Sequence, residues 1–424
     1  MSAAGGRDDA PPQRPRDVRA AFLLLGLFVG LGGGALSGGG VRAAVSAVAR
    51  PVGALWLDAL TMTVVPLVFG LLVTAIAGTA REAKAGSVTL RALVWFAVIL
   101  TVACLVAAFL TAGLLHLWPI AGLGLALSAD AGAPPPAPAA DVAWYHTIIP
   151  ANPIRAAADT AMVPLVVFAL LLGFATAQLE RDAAEALLRP LRALVDAMLV
   201  IVRWVLRAGP IGVAALAFTA AADLGAGVFG TLAHYVALVS AACLAATLLA
   251  YLWVWVFGRT SVIAFARAAV PVQALALGTQ SSLATLPAMI EAAARLRGDP
   301  RVAGIVLPLA VSLFRAASAA ANVAVAVYLA HLHGAGPDIG LLVLAALVAV
   351  PVSLGAVGLP AQVSFFATIA PVCIAIGAPI TALPLLLAIE AVPDLFRTLG
   401  NVTNDLAVTR LLSGRDADAD PAGG

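Results

Sequence analysis

Charge is scarce in this sequence. Of its 424 residues only 11% are Asp, Glu, Lys or Arg, against 62% hydrophobic residues, and the mean hydropathy is +1.04. Soluble domains carry roughly 25% charged residues, so the composition excludes an ordinary soluble globular chain and defines a polytopic membrane protein. A net charge of +2 provides no polybasic surface for nucleic acid. Cysteine is also rare. Cys104, Cys243 and Cys373 each stand alone in an apolar run, which excludes a disulfide framework or thiolate metal site and leaves three packing residues. The apparatus of an intramembrane enzyme is missing too. No serine neighbours a histidine within the apolar runs, and Asp394 and Asp405 lie about three helical turns apart, too far to share a proton.

Long apolar runs are what the chain does have. An arginine-bearing tail, residues 1–19, precedes a run from Ala20 that is longer than the roughly 7–15 residues of a signal-peptide core and reads as a retained span. Further apolar segments fall at 52–80, 92–118, 160–179, 194–222 and 228–257. Gly26 and Gly30 form a GxxxG that permits close helix packing. If the spans alternate, Arg7, Arg14, Arg16 and Arg19, then Arg81, Lys84 and Arg91, then Arg181, Arg189 and Arg192 share one side, whereas 117–151 holds no Lys or Arg. The N-terminus is therefore expected in the cytoplasm, although Arg42 and Arg50 break the pattern. The proline-rich stretch 129–141 reads as an extracytoplasmic linker.

The C-terminal half repeats a looser pattern, in which an apolar segment interrupted by a small, polar, proline-bearing tip precedes a long helix containing charge. One unit covers 260–334, with the tip GTQSSLATLP (278–287) and a helix containing LFRAAS (313–318); the other covers 338–412, with the tip SLGAVGLPA (353–361) and the helix EAVPDLFRTLGNVTND (390–405). Halves of about 12–18 apolar residues are short for full crossings, which suits re-entrant hairpins; ordinary hairpins with extramembrane turns are the alternative. Non-helical backbone at membrane depth has to be buried in protein or line a cavity.

No Asp, Glu, Lys or Arg occurs between 339 and 389, and then polar residues crowd together. At 3.6 residues per turn Glu390, Asp394, Arg397, Asn401 and Asp405 line one stripe. A charge at the bilayer centre costs on the order of 2.5–3.5 kcal/mol. The stripe is therefore either a buried ion-pair seam, with Asp394 and Arg397 paired, or a solute site at the midplane. In a solute site Arg397 offers a planar fork to a carboxylate, and Asp394 an acceptor to an ammonium.

With these residues in view, the chain resembles the dicarboxylate/amino acid:cation symporters, which include the glutamate transporters. The spacing of Asp394, Arg397, Thr398, Asn401 and Asp405 is similar to the family's last-helix motif. IIPANPIRAAA (148–158) is similar to the loop before its fourth helix, MTVVPLVFGLLV (62–73) to its second helix, and QSSLATLP (280–287) to its serine-rich first hairpin tip. The likeness runs from about Trp56 to Arg410. It implies an all-α polytopic membrane protein of about eight transmembrane helices, with two re-entrant hairpins and inverted repeats. Residues 20–258 would be mainly scaffold, with 92–118 joining a transport core at 260–412. Residues 1–19 and 413–424 would be cytoplasmic tails of a homotrimer in a bacterial-type inner membrane.

The implied function is secondary uptake of aspartate, glutamate or a related dicarboxylate, coupled to cations and without an organic cofactor. The alternatives are a C4-dicarboxylate symporter, an anion-binding channel and a non-transporting receptor. By resemblance Arg397 would hold the side-chain carboxylate, Asp394 with Thr398 the amino group, and Asn401 the main carboxylate. Ser282 and Gly358, at the two tips, would close the site; Ser318 would add a hydroxyl, and Asp405 would be the cation (metal) ligand.

The departures from the family carry a second message. Where relatives read Asn-Met-Asp-Gly-Thr this chain reads FRAAS (314–318), and Phe96, Ile99 and Leu100 stand at the third helix's cation-ligand positions. These changes argue against sodium coupling in its usual form and for H+, or fewer Na+, as the coupling ion. Arg315, a permanent cation in an apolar span, is expected either to assume part of a lost sodium's role or to pair with Glu390 or Asp405. Glu390 and Asp405 are the candidate proton carriers. The second tip reads GLPAQV (358–363) where relatives carry Gly-Val-Pro-Gly-Ala-Gly, and His331 and His333 are expected to be solvated.

Overall fold

The computed structural model describes residues 18–83, 87–119, 149–224, 227–334, 336–356 and 361–413. The 129–141 linker, Gly358 with the rest of 357–360, and nearly all of both tails lie outside the described residues. Regular structure among the described residues is α-helical throughout, as it has to be where lipid cannot satisfy backbone polar groups. The N-terminal half contains α1 (Val18–Leu36), α2 (Gly39–Thr61), α3 (Val64–Ala83), α4 (Ser87–Leu117), α5 (Pro153–Ala158), α6 (Met162–Thr176), α7 (Arg181–Arg207), α8 (Gly209–Leu224) and α9 (Gly227–Val256). The C-terminal half contains α10 (Val262–Thr279), α11 (Leu286–Arg295), α12 (Pro300–Leu313), α13 (Ala316–Leu332), α14 (Ile339–Gly355), α15 (Ala361–Ala375), α16 (Leu383–Ile389) and α17 (Ala391–Ser413).

Among the described residues five helical stretches are long and apolar enough to cross a membrane: Gly39–Arg81, Ser87–Leu117, Gly227–Val256, Val262–Thr279 and Pro300–Leu332. A sixth is the pair α7 and α8, bent by 60°. Shorter apolar helices, including α6 and α14, bring the apolar elements beyond that number. Two expected spans have different shapes. The 52–80 segment starts earlier, at Gly39, and is divided by a turn at Met62 and Thr63. The 194–222 segment breaks at Ala208, because Pro210 has no N–H to continue the ladder. There the Ala208 N–H turns to the Val205 carbonyl at 3.1 Å, and the Trp56 indole donates to the same oxygen at 2.9 Å.

Close packing of α1 on α8 explains the glycine spacing. A Cβ at Gly26, Gly30 or Gly34 would run into the carbonyl oxygen of Pro210, Ala214 or Phe218 respectively. The two arginines that disturbed the charge pattern have local partners at the C-terminal end of α8. Arg42 donates to the Ala222 carbonyl at 3.2 Å and Arg50 pairs with Asp223 at 3.1 Å, where a helix dipole favours cations.

In the C-terminal half each unit runs helix, tip, helix and then a long interrupted helix. Ser261, Asp299 and Asp338 start α10, α12 and α14 by accepting from the N–H groups of Ala264, Arg301 and Leu341. The first tip begins where α10 ends on left-handed Gln280 (φ 51°), and it ends where α11 opens with Pro287 in its first turn. Both long helices break at their charged residue, although the sequence suggested continuous ones. Phe314 and Arg315 leave helical geometry (φ, ψ −101°, 91° and −114°, 62°) between α12 and α13. Glu390 separates α16 from α17, since Pro393 cannot donate to the Ile389 carbonyl. Of the halves beyond the breaks, α13 is buried along almost its whole length and α17 over most of its C-terminal part, and both pack against α4 and α9.

Candidate functional site

The two helix breaks meet at a cavity of about 150 Å³, well above the ~10–15 Å³ needed for one water. From the α12–α13 break come Arg315, Ser318 and Asn322; from the start of α17 come Glu390, Asp394 and Arg397. Gln280 of the first tip and Ser353, Ser364 and Thr368 of the second hairpin's arms complete the polar lining, and α1 adds Leu23 and Leu24. The N-terminal ends of α13 and α17 thus open on one space, and helix N-termini favour anions.

Arg397 is the centre of this arrangement. Its Nε lies 2.6 Å from Glu390 Oε1, close as an ion pair though not aligned as a hydrogen bond. Nη1 donates to Asn322 Oδ1 at 2.8 Å and to the Ser318 carbonyl at 3.3 Å, and Nη2 has no hydrogen-bond partner. Tyr235 of α9 holds the other side of Glu390, its hydroxyl donating to Oε2 at 2.9 Å. The seam reading placed Asp394 on Arg397; the partner is Glu390 instead, and Asp394 makes no ion pair among the described residues. Arg315 pairs with neither Glu390 nor Asp405, contrary to the pairing alternative. It makes one long hydrogen bond, Nη1 to Ser364 Oγ at 3.4 Å.

Not every expected residue reaches the cavity. Asn401 caps α13 across the break: its Oδ1 accepts from the N–H groups of Ala317 and Ser318 at 3.0 and 3.2 Å, and its Nδ2 donates to Ser318 Oγ at 2.8 Å. Thr398 is buried beside this stretch and is not part of the lining. Ser282 is off the wall as well, with Gln280 standing on it. Gly358 lies outside the described residues. Asp405 is fully buried, and neither carboxylate oxygen has a hydrogen-bond donor, an arrangement that fits a bound cation or proton. His331 and His333 are half-buried instead of solvated, with His333 Nδ1 2.9 Å from the Leu329 carbonyl.

The positions that the resemblance assigned to cation ligands carry apolar side chains. Phe96 and Phe314 stack with ring centroids 4.5 Å apart and planes 8° apart, and Ile99, Leu100 and Ala316 are fully buried. Such a set supplies no side-chain oxygen to an ion. Tyr235, Asn322, Gln280, Ser353, Ser364 and Thr368 escaped the sequence reading. Asn322 had a usable signal, because it stands one turn after Ser318 in an otherwise alanine- and valine-rich helix.

Interrupted helices that bring arginines and carboxylates to one small cavity in an α-helical membrane protein are the arrangement of a solute transporter, and the comparisons with known proteins show that class. The chain belongs to the sodium:dicarboxylate symporter family, whose sequence profile matches residues 20–414. It is 27% identical over 377 residues to the proton/glutamate-aspartate symporter of Escherichia coli, covering 84% of this chain and 83% of that one. With the C4-dicarboxylate transport protein of Rhodospirillum rubrum it shares 27% identity over 421 residues, 97% of this chain and 92% of the relative. With the proton/sodium-glutamate symport protein of Bacillus caldotenax it shares 22% over 403 residues, 92% and 93% of the two chains. The protein is an integral membrane symporter coupled to cations.

Proposed function

We propose that this protein takes up an acidic amino acid, aspartate or glutamate, or a related dicarboxylate, bound in the cavity between the two helix breaks. The supporting observation is that Arg397, whose buried Nη2 has no hydrogen-bond partner, and the unpaired Asp394 line one cavity at the N-terminal ends of α13 and α17. A guanidinium takes a carboxylate and a carboxylate takes an ammonium. An incoming carboxylate competes with Glu390 for Arg397. Protonating Glu390 frees the guanidinium, so a proton and the anion bind together. The stacked Phe96 and Phe314 support the same driving ion, with Asp405 as the buried second carboxyl for H+ or a residual Na+. The C-terminal core, including both hairpins, α13 and α17, would move against scaffold helices of a homotrimer whose termini face the cytoplasm of a bacterial-type inner membrane.

Uptake of labelled aspartate, glutamate, succinate and serine into proteoliposomes under separately imposed gradients tests this reading. Accumulation of an acidic substrate driven by a proton gradient is expected, with Arg397→Ala abolishing it. A steep sodium requirement at fixed pH would overturn the coupling, and intact aspartate uptake in the variant would overturn the site. Equilibration without accumulation would identify a channel, and binding without any uptake a receptor.

A further inference from the structure

We infer that Arg315 is a second carboxylate anchor, so that the transported anion is held between two guanidiniums and the amide of Asn401 serves the protein's own helix. This deepens the substrate reading above and rests on it. A ligand with two carboxylates needs two strong donor groups, and Arg397 has room for one. Of its three nitrogens, Nε faces Glu390, Nη1 is committed to Asn322 and Ser318, and Nη2 alone, buried, has no partner. Asn401 does not face the ligand space in this structure. Its oxygen is occupied by two backbone N–H groups, one of its two amide N–H groups donates to Ser318 Oγ, and the residue does not line the cavity.

Arg315 is the other cation of the cavity wall, and its guanidinium is nearly unspent. Of five N–H donors, one reaches Ser364 at 3.4 Å, longer than a normal N–H···O bond, and no carboxylate of the described residues pairs with it. The same cavity receives Ser353 Oγ, which is buried and has no partner, from α14, and Ser364 from α15. Hydroxyl donors from both arms of the second hairpin thus face the cavity that Arg315 enters. The charges sum sensibly. Arg315 and Arg397 balance Glu390 and Asp394 in the empty site, and an amino dicarboxylate adds two anionic groups for the guanidiniums and one ammonium for Asp394. A dicarboxylate without the amine leaves Asp394 facing like charge, which disfavours it.

The test pairs three ligands with three proteins. L-Aspartate, β-alanine (aspartate without its α-carboxylate) and L-alanine (aspartate without its β-carboxylate) are measured by competition binding to the full-length wild type, Arg315→Gln and Arg397→Gln. Loss of a charged hydrogen-bond partner is expected to weaken aspartate on the order of 10- to 100-fold in each variant. Arg315→Gln should leave one of the two truncated ligands within about threefold of wild type, and Arg397→Gln the other. Arg315→Lys, which keeps the charge and loses the planar fork, should fall between wild type and Arg315→Gln. Unchanged aspartate binding in Arg315→Gln, or equal weakening of all three ligands, would overturn the proposal while leaving the acidic-substrate reading intact. A wild type that binds no aspartate would overturn both.

Discussion

At Asn401 a single side chain joins two distant parts of the sequence. Breaking α12 from α13 leaves N–H groups of the first turn of α13 without intrahelical acceptors, and Asn401 Oδ1, 84 and 83 residues away, accepts two of them. Asn401→Ala would leave them buried and unpaired, a cost of about 1–3 kcal/mol. Thermal unfolding of purified protein is expected to show that loss, whereas Asn401→Asp, which keeps an acceptor, should retain most of the stability. Equal stability of Asn401→Ala and wild type would show that water takes over the cap. At Glu390 the same scale shows competition: the residue occupies the guanidinium that a substrate carboxylate needs, and Tyr235 holds it there. The polar stripe was legible because 3.6-residue spacing puts those side chains on one face. The partners of the stripe were not, because pairing of Arg397 with Glu390 over Asp394 depends on how α17 starts and on a tyrosine from α9.

Helix starts and tips were readable where the chemistry is local. Ser261, Asp299 and Asp338 cap the following turn themselves, and the proline-bearing tip near 278–287 appears as an interrupted hairpin between α10 and α11. The break at Phe314 and Arg315 was not readable, since its compensation comes from Asn401 on another element. Pro393 stands in the first turn of α17, where a proline is tolerated, so it did not by itself give away the α16–α17 break. Ser364 and Thr368 were ambiguous for a related reason: hydroxyls in apolar helices can bond their own backbone, as Thr368 does to the Ser364 carbonyl at 2.7 Å. Between elements, the Phe96–Phe314 stack ties α4 to the end of α12. Phe314→Ala should lower stability by about 3–5 kcal/mol, the usual cost of removing a buried phenyl ring. Chemical unfolding in mild detergent measures it, and a loss below about 1 kcal/mol would mean that the neighbourhood collapses to fill the space.

At the scale of the whole molecule, composition established a polytopic membrane protein, and the resemblance implied the all-helical fold and a trimer. Native mass spectrometry from detergent is expected to release a complex of three 42.6 kDa chains; a monomer retaining uptake after reconstitution would remove the trimer. Arg315 also bears on the energy balance of the complete transport cycle. A guanidinium bonded to the chain crosses with the loaded carrier and crosses back with the empty one, so it moves no net charge through the membrane potential. A cation that unbinds inside the cell does move charge, and each is worth ~2.3 kcal/mol per 100 mV. Were Arg315 to replace a travelling coupling cation, as well as anchor a carboxylate, the carrier would forgo that work, and the steepest gradient it could sustain would be lower by about fifty-fold at 100 mV. The accumulation ratio in proteoliposomes measures this ceiling directly. Such a ceiling suits an importer that feeds on an abundant solute better than one that scavenges traces.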